Sequence, residues 1–262
     1  MLQSQLFTKT LKNAPKEEPS INAQLLIRGG FIDKVGAGIY SILPLGMKVL
    51  SKIEQIVREE MDDIGGQEVL MPALHPKEYW EATGRWDELD VLFKLMGQGK
   101  KEFALGATHE EIVTPLARKF IFSYKDLPKA VYQIQTKFRN EPRAKSGLLR
   151  GREFRMKDLY SFHTDEKDLE KYYEKATEAY HKIYNRCGIG DGTFLTYASG
   201  GTFSKYSHEF QTIAEQGEDS IHLCEDCSIA INEEILKEMD GSCPGCKSKA
   251  LQKKSSIEVG NI

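Results

Sequence analysis

The sequence FRNEPR at residues 138–143 and the sequence GLLRGREFRMKD at residues 147–158 gather arginines around carboxylates and aromatic rings. The segments on either side alternate apolar and polar residues, as half-buried strands do, and the polar centre reads as a loop. We therefore expect two antiparallel strands, 130–138 and 152–163, joined by a basic loop. Arginine forks match phosphate oxygens, and a neighbouring carboxylate accepts from an exocyclic amine. The pattern favours a polyphosphate site, and the alternative is a solvated basic hairpin.

Length and composition are those of a globular protein. The 262 residues can bury one large domain, with or without an appendage, and 40% of them are hydrophobic and 29% charged. The net charge of −3 argues against general attraction to nucleic acid, so an RNA contact would need a local basic patch at 139–155. No apolar run approaches the roughly 20 residues of a membrane span. The first residues lack a secretory signal, so we expect a cytoplasmic protein.

The remaining periodicity separates helices from strands. Thr108, three residues before Glu111, predicts a capping box at the start of a helix, and Thr164 or Asp165 is expected to cap a later one. Hairpin-ordered strands with helices in separate blocks indicate an α+β fold, an antiparallel sheet flanked by helices. The pattern predicts helices at 21–29, 45–64 and 169–183, and strands at 38–44, 68–72, 93–96, 101–106 and 193–214.

Four of the five cysteines form two C-x2-C pairs near the end of the chain. In a cytoplasmic chain, paired cysteines with a 15-residue spacer favour a structural zinc ribbon over disulfides. The alternative is a reduced loop without metal, and His222 is a less favoured competing ligand. Cys187 stands alone and is expected to have no function. The predicted zinc ligands are Cys224, Cys227, Cys243 and Cys246.

The two opening stretches resemble motif 2 of the class II aminoacyl-tRNA synthetases, an F-R-x-E start and a later R-x-x-x-F-x-x-x-D. Their wording is similar to the bacterial-type prolyl-tRNA synthetase family. The helix, glycine break and strand at 45–72 resemble motif 1, through which these enzymes dimerise, and Pro72 would be its proline. A plain helix–strand unit is the alternative for this segment.

The resemblance implies a role for each residue of the nucleotide site. Arg139 would be the catalytic residue that bridges the α-phosphate and the substrate carboxylate. Glu141 would receive the adenine amino group, Phe154 would stack on the ring, and Arg150 would reach the distal phosphates. ATP is expected to bind together with Mg²⁺.

The resemblance also implies a proline site. Thr108 and Glu110 match a T-x-E loop whose carboxylate accepts hydrogen bonds from the protonated ring nitrogen of proline. A helix cap is the alternative reading of this loop. Met156 and Phe162 would supply apolar surface, and His208 in a S-H-E-F segment would form the far wall.

Three further residues have less defined roles. Glu209 is expected to help position magnesium. Arg143 and Arg152 are either helpers of the nucleotide site, tRNA contacts or surface residues. His208 has an alternative as well, because a single histidine in a sheet is more often a packed structural residue.

The likeness covers residues 1–220, which would be a catalytic domain with motifs 1 and 2. Residues 221–254 would be a zinc-ribbon insertion, and 255–262 the start of the return to the catalytic sheet. This chain has no room for the editing insertion and carries neither motif 3 nor an anticodon-binding domain. We therefore expect an incomplete gene product or one half of a split enzyme.

The combined prediction is an enzyme that activates proline with ATP to prolyl-adenylate and transfers it to tRNA(Pro), acting as a homodimer. The alternative is a catalytically incomplete, synthetase-derived module that binds nucleotide or tRNA in regulation or assembly. A synthetase for another amino acid is a third possibility, which the T-x-E and S-H-E-F segments disfavour.

Overall fold

The computed structural model describes residues 2–142, 144, 146–200 and 206–262. The chain divides into two compact units, with the division in sequence between Leu169 and Glu170. Among the described residues, no helix is long and apolar enough to cross a membrane. The predicted α+β class is confirmed, since helices and largely antiparallel strands occur in separate blocks.

The first unit contains the predicted hairpins and most of the helices. Its helices are α1 Ile21–Arg28, α2 Pro44–Asp63, α3 Lys77–Ala82, α4 Arg85–Glu88 and α5 Glu110–Ala117, and α6 Glu166–Arg186 begins at its end. Its strands are β1 Ile32–Gly36, β2 Ile39–Ile42, β3 Gln67–Glu68, β4 Leu74–Pro76, β5 Lys94–Met96, β6 Glu102–Leu105, β7 Lys129–Phe138 and β8 Glu153–Phe162.

Helix α2 shows how local sequence sets the boundaries of an element. Pro44 occupies its first turn, where the missing N–H costs nothing because that group has no partner within a helix. Gly65 ends the helix with a φ of +85°, and the N–H of Gly66 donates to the carbonyl of Met61 at 2.9 Å. This is a Schellman ending, which requires glycine at the left-handed position. The predicted end before Gly65 is confirmed.

The predicted strand at 68–72 is wrong in extent, because β3 contains only Gln67–Glu68. Beyond it, side chains of β7 replace the backbone ladder. The N–H of Met71 donates to the Gln133 side chain at 3.1 Å, and the Gln135 side chain donates to the Met71 carbonyl at 2.9 Å. These two side-chain hydrogen bonds therefore hold the segment that ends at Pro72, although it is not a strand.

The capping box at Thr108 and Glu111 is also wrong. His109 is the N-cap of α5 and makes no side-chain cap bond. Glu111 is buried and turned toward Arg85 and Thr83, with bonds of 2.8 and 3.1 Å, so its carboxylate cannot reach back to the cap. The other predicted cap is confirmed for Asp165, whose Oδ1 accepts from the N–H of Asp168 at 3.0 Å.

The hairpin of β7 and β8 is confirmed, and its register determines the site. Gln133 pairs with Asp158, Gln135 with Met156, and Lys137 with Phe154. Directly paired residues of an antiparallel ladder share one face of the sheet. Alternate residues of both strands therefore present their side chains to the same side, with Tyr160 and Phe162 continuing the row on β8.

The second unit is built around a closed barrel of five strands, β9 Thr193–Ser199, β10 Tyr206–Ile213, β11 Asp219–Cys224, β12 Ala230–Asn232 and β13 Leu251–Asn261. Around the barrel the strand order is β10, β13, β11, β12, β9. The ring of Phe210 is fully buried and stacks on Tyr180 at a centroid distance of 5.2 Å. Residues predicted as an insertion and as a returning segment thus share one barrel with β9 and β10, while the domain division at residue 220 stays a prediction.

Candidate active site

Thr108 and Glu110 lie between β6 and the first turn of α5, with both side chains partly buried. The Thr108 hydroxyl donates a short hydrogen bond to the Glu110 carboxylate. Arg85 also approaches Glu110, with 3.5 Å between Nη1 and Oε2. The pair is therefore preassembled: an acceptor carboxylate is oriented by a hydroxyl and remains partly accessible.

Close to this pair, one carboxylate oxygen of Asp158 accepts three hydrogen bonds. Its Oδ2 accepts from Lys137 Nζ at 2.8 Å, from Gln133 Nε2 at 3.0 Å and from the Tyr160 hydroxyl at 2.7 Å. Lys137 is completely buried, which is rare for lysine and tolerated only when the charge is paired. Asp158 matched the motif spacing, but the sequence assigned no role to Lys137 or Tyr160.

Two buried imidazoles extend this network to the residue predicted as the motif 1 proline. The Pro72 carbonyl lies 2.9 Å from His75 Nε2 and 3.1 Å from His109 Nε2, so each ring donates to it. The other nitrogen of His109, Nδ1, contacts Lys137 Nζ. In this tautomer the histidine accepts from the lysine and donates to the carbonyl.

Burial controls the protonation of these groups. Desolvation lowers the pKa of His75 to about 4 and that of His109 to about 3, where the nearby Lys137 charge adds to the effect. Both imidazoles are therefore neutral at physiological pH. Burial also lowers the pKa of Lys137, while Asp158 opposes the shift.

Gly106 makes room for both histidines. A β-carbon at this position would lie 2.9 Å from Cε1 of His75 and 2.9 Å from Cε1 of His109. Contacts that close do not occur between real β-carbons and other atoms, so a side chain here would displace the rings. His75 had no signal in the sequence, because a lone histidine next to a proline has no distinguishing pattern.

The predicted nucleotide residues lie at the loop end of the hairpin, the nucleotide end, where Phe154 pairs with Lys137. The guanidinium of Arg139 lies over the Phe154 ring, 5.3 Å from its centroid. The backbone N–H of Arg139 donates to the Arg152 carbonyl at 2.9 Å, and Arg152 Nε donates to the Glu141 carbonyl at 3.1 Å. Arg152 therefore ties the two ends of the loop together. Arg143 lies outside the described residues.

Arg150 ends a short turn, Gly147–Arg150, that is fastened to α1. The Asn22 side chain donates to the Ser146 carbonyl at 2.7 Å and accepts from the Leu148 N–H at 3.3 Å. Gly147 has a φ of +63°, and a β-carbon there would lie 2.3 Å from Asn22 Oδ1. The turn thus presents the exposed Arg150 from a fixed base.

Met156 and Phe162 are partly buried on the same face of β8 as Phe154. This face carries the aromatic ring of the nucleotide end, Met156 in the middle, and the Asp158–Tyr160 pair followed by Phe162. The structure therefore aligns the predicted apolar residues along one row, and their contact with proline stays a prediction.

His208 and Glu209 belong to the second unit, on β10. The Tyr173 hydroxyl lies 2.8 Å from His208 Nδ1, and the Tyr197 ring contacts the imidazole edge-on at 4.5 Å between centroids. Burial lowers the pKa of His208 and raises that of Glu209. The role of Glu209 in positioning magnesium stays a prediction. Gly201, in the same predicted segment, is outside the described residues.

The four paired cysteines come together in the second unit. Their sulfur atoms all lie within 4.8 Å of one another, with 3.5 Å between Cys224 and Cys246 and 3.4 Å between Cys227 and Cys243. These separations exceed the roughly 2 Å of a disulfide, and the thiols are free. Four sulfurs at this spacing can hold a metal ion.

Comparison with known proteins identifies the family. Residues 93–247 match the model of the tRNA synthetase class II core domain (G, H, P, S and T). The chain is 49% identical to proline–tRNA ligase of Moorella thermoacetica over 236 residues, which is 90% of this chain and 41% of that protein. It is 47% identical to proline–tRNA ligase of Sulfurihydrogenibium sp. over 263 residues, covering 100% and 46%.

Solved structures agree on the fold. Prolyl-tRNA synthetase of Giardia lamblia, in complex with prolyl-adenylate, matches with a TM-score of 0.64 at 18% identity, over 87% of this chain and 48% of that one. The enzyme of Cryptosporidium parvum with L-proline and AMP matches with a TM-score of 0.64 at 16% identity, over 74% and 39%. The chain thus spans less than half the length of the relatives and structures described here.

Proposed function

The chain belongs to the class II tRNA synthetase core family, and from this premise we propose that it carries proline- and ATP-binding parts of a proline–tRNA ligase. The reaction joins the carboxylate of proline to the α-phosphate of ATP, releases pyrophosphate and then transfers the prolyl group to tRNA(Pro). This goes beyond family membership, since the chain covers 41% to 46% of the ligases described above.

One observation carries the proposal: an anionic and a cationic side chain suited to a zwitterion are held beside the same buried lysine. Lys137 contacts His109, which precedes Glu110, and Arg139 follows Lys137 by two residues at the end of β7. Glu110 accordingly raises the pKa of Lys137 and Arg139 lowers it. An amino acid needs an anion for its ammonium group and a cation for its carboxylate. Glu110 with Thr108 supplies the first and Arg139 the second.

The chemistry of activation is mainly one of charge. An anionic carboxylate must approach an anionic phosphate, so positive charge held in place before the reaction lowers the barrier. Arg139 would bridge the proline carboxylate and the α-phosphate, and its stacking on Phe154 holds the guanidinium in position. Arg150 would bind the distal phosphates. Mg²⁺, bound as part of the ATP complex, would neutralise part of their negative charge.

Adenine recognition would use the remaining residues of the hairpin tip. Phe154 offers a ring face for stacking, and Glu141 offers an acceptor for the adenine amino group. Arg152, which donates to the Glu141 carbonyl, would keep that residue in place. We infer no direct ligand contact for Arg152.

The decisive experiment is proline-dependent exchange of pyrophosphate into ATP, measured with this chain and with the protein as its gene encodes it. Proline-dependent exchange is expected from the gene product. No exchange in either sample would overturn the enzyme proposal and favour the alternative of a nucleotide- or tRNA-binding module. Exchange with threonine or serine but not proline would overturn the substrate assignment.

The cysteine cluster would hold a structural Zn²⁺. Zinc binds four thiolates as a tetrahedron with Zn–S bonds of about 2.3 Å, which fits sulfurs within 4.8 Å of one another. Cys224 and Cys243 are buried, Cys227 and Cys246 exposed, and four protein ligands leave no open position for catalysis. The zinc would cross-link the segments at each end of the intervening loop.

Metal content and thermal unfolding test the zinc assignment. One zinc per chain is expected, and chelation or Cys227→Ser should lower the Tm by at least about 5 °C. The matched control is Cys187→Ser, which changes the cysteine outside the cluster and should leave both values unchanged. Purified protein without zinc, or a Tm indifferent to chelation, would refute the assignment.

Dimerisation through the segment at 45–72 remains part of the proposal. Helix α2 exposes the apolar side chains of Met47, Val49 and Ile53, which a partner subunit would cover. Sedimentation velocity should give a dimer for the gene product and a weaker association for Ile53→Lys. A monomer at all concentrations would contradict this part.

A further inference from the structure

We propose that Lys137, Asp158 and Tyr160 form a buried relay that fixes Thr108 and Glu110 in the geometry that receives the ring nitrogen of proline. These three are positioning residues, since none is assigned a contact with substrate. The inference rests on the proposed function, and it adds determinants of amino-acid recognition that lie behind the pocket.

Burying the charges of this relay costs free energy, so their presence needs a physical reason. Lys137 has no exposed surface, and the Asp158 side chain is 12% exposed. Taking two charges out of water costs several kcal/mol per ion before pairing, so a well-packed apolar pair would often be at least as stable. Stability alone does not account for an ammonium and a carboxylate here.

The relay is connected to the loop that carries Thr108 and Glu110. Tyr160 donates to Asp158 Oδ2, and its oxygen accepts from the backbone N–H of His109 at 3.2 Å. The phenol therefore contacts the backbone of the loop that carries Thr108 and Glu110.

His109 anchors the loop of Thr108 and Glu110 to the protein interior. Thr108 orients Glu110, and His109 between them is anchored inward by the Pro72 carbonyl and Lys137. The central residue of the T-x-E loop is thus buried and held by the relay, whereas its outer residues, Thr108 and Glu110, are only partly buried. Small shifts of Tyr160 or Lys137 would be transmitted to the Glu110 carboxylate through these bonds.

The charges around Lys137 agree with a positioning role. Asp158 and Glu110 favour its charged form, while Arg139 and the burial disfavour it. One ring nitrogen of His109 accepts a hydrogen bond from the ammonium, and the imidazole itself is neutral. The ammonium thus remains bonded to Asp158 and His109 and is not free to bind an anionic ligand.

The principal test replaces Tyr160 by phenylalanine in the protein as its gene encodes it. Removing the hydroxyl keeps the ring but breaks the link between Asp158 and the loop. We expect the KM for proline in pyrophosphate exchange to rise about ten- to hundredfold, with the KM for ATP changed less than about twofold. A structural defect would instead alter both constants or the active fraction.

Tyr132→Phe is the matched control. Tyr132 is on β7 of the same hairpin, is buried, and donates its hydroxyl to Asp62 at 2.7 Å, away from the relay. This variant should keep the wild-type KM for proline even where it is less stable. Equal KM values for wild type and Tyr160→Phe, or equal rises in both variants, would overturn the relay.

Lys137→Met and a crystal structure separate this inference from the proposed function. If exchange depends on another amino acid, Tyr160→Phe should still raise the KM for that amino acid, and the relay stands while the substrate assignment fails. If no exchange occurs, the crystal structures decide. Thr108 and Glu110 displaced in Lys137→Met relative to wild type support the relay, and unmoved side chains refute it.

Discussion

Two groups of side chains on the β7–β8 hairpin are built in opposite ways. In the buried group, which forms the proposed proline end, Lys137, Asp158 and Tyr160 satisfy one another in the interior. At the nucleotide end, Arg150 is exposed and Glu141 is partly exposed, and neither side chain has a hydrogen-bond partner among the residues that the structure describes. Proline recognition would therefore be preorganised by protein contacts, whereas the nucleotide end would be completed by its ligand.

Arg139→Ala should have the largest effect, and it tests the nucleotide end. We expect a loss of at least about a thousandfold in kcat/KM for exchange, since a charge that stabilises the transition state is removed. Urea unfolding should be nearly unchanged. Arg155→Ala is the control, because Arg155 is on the opposite face of β8 and binds Glu54 at 3.0 Å. A large loss of stability in Arg139→Ala would erase the contrast between the two ends.

Asp158→Ala should show the reverse at the proline end. It leaves the Lys137 ammonium buried without its carboxylate, which is expected to lower the free energy of unfolding by about 3–5 kcal/mol. Urea denaturation measures this value. The double variant Lys137→Met/Asp158→Leu removes both charges and should recover much of the stability but not the KM for proline. Recovery of both would contradict the relay.

Low pH should also lower the free energy of unfolding, through the buried histidines His75 and His109. Because the pKa of buried His75 is lowered to about 4 from an ordinary value near 6.5, the unfolded state binds the proton more readily. The contribution of neutral His75 is complete above pH 6.5 and is lost as the pH falls toward 4, by roughly 3 kcal/mol. His109 acts in the same direction. Unfolding measured from pH 7 to 4 should show a shallower slope in His75→Leu.

Asn22→Ala should have the smallest effect and sharpen the description of the nucleotide end. The substitution removes two hydrogen bonds that fasten the turn before Arg150. We expect the KM for ATP to rise about three- to tenfold, in line with roughly 1 kcal/mol, and the KM for proline to stay constant. Gln55→Ala, which removes an exposed side-chain bond to Glu59, is the control. A change in the KM for proline would show that the two ends are coupled.

Much of the hairpin was predictable from the sequence because its signals are local. Alternation gave β7 and β8 to within two residues, and the glycine break gave the end of α2. The strand predicted to reach Pro72 failed because glutamine side chains 62 and 64 residues away bind the Met71 backbone. Side-chain substitutes for a backbone ladder leave no trace in local periodicity.

The relay was not predictable for a related reason. Gln133, Gln135 and Lys137 alternate along β7 and read as a solvent-facing row, yet Gln133 and Lys137 are fully buried. Their burial depends on partners distant in the chain, Met71, His109 and Asp158. Asp158 was the residue with a signal, because its place in the motif indicated a function. Its partners could not be predicted from that motif.

The single oxygen of Asp158 that accepts three hydrogen bonds also has an evolutionary consequence. Gln133, Lys137 and Tyr160 share this acceptor, so replacing any one of them alters the surroundings of the other two. Energies of residues that share a partner are not additive. We expect the four positions to change together among relatives or to stay fixed, and a lineage that lost the carboxylate should have lost the lysine with it.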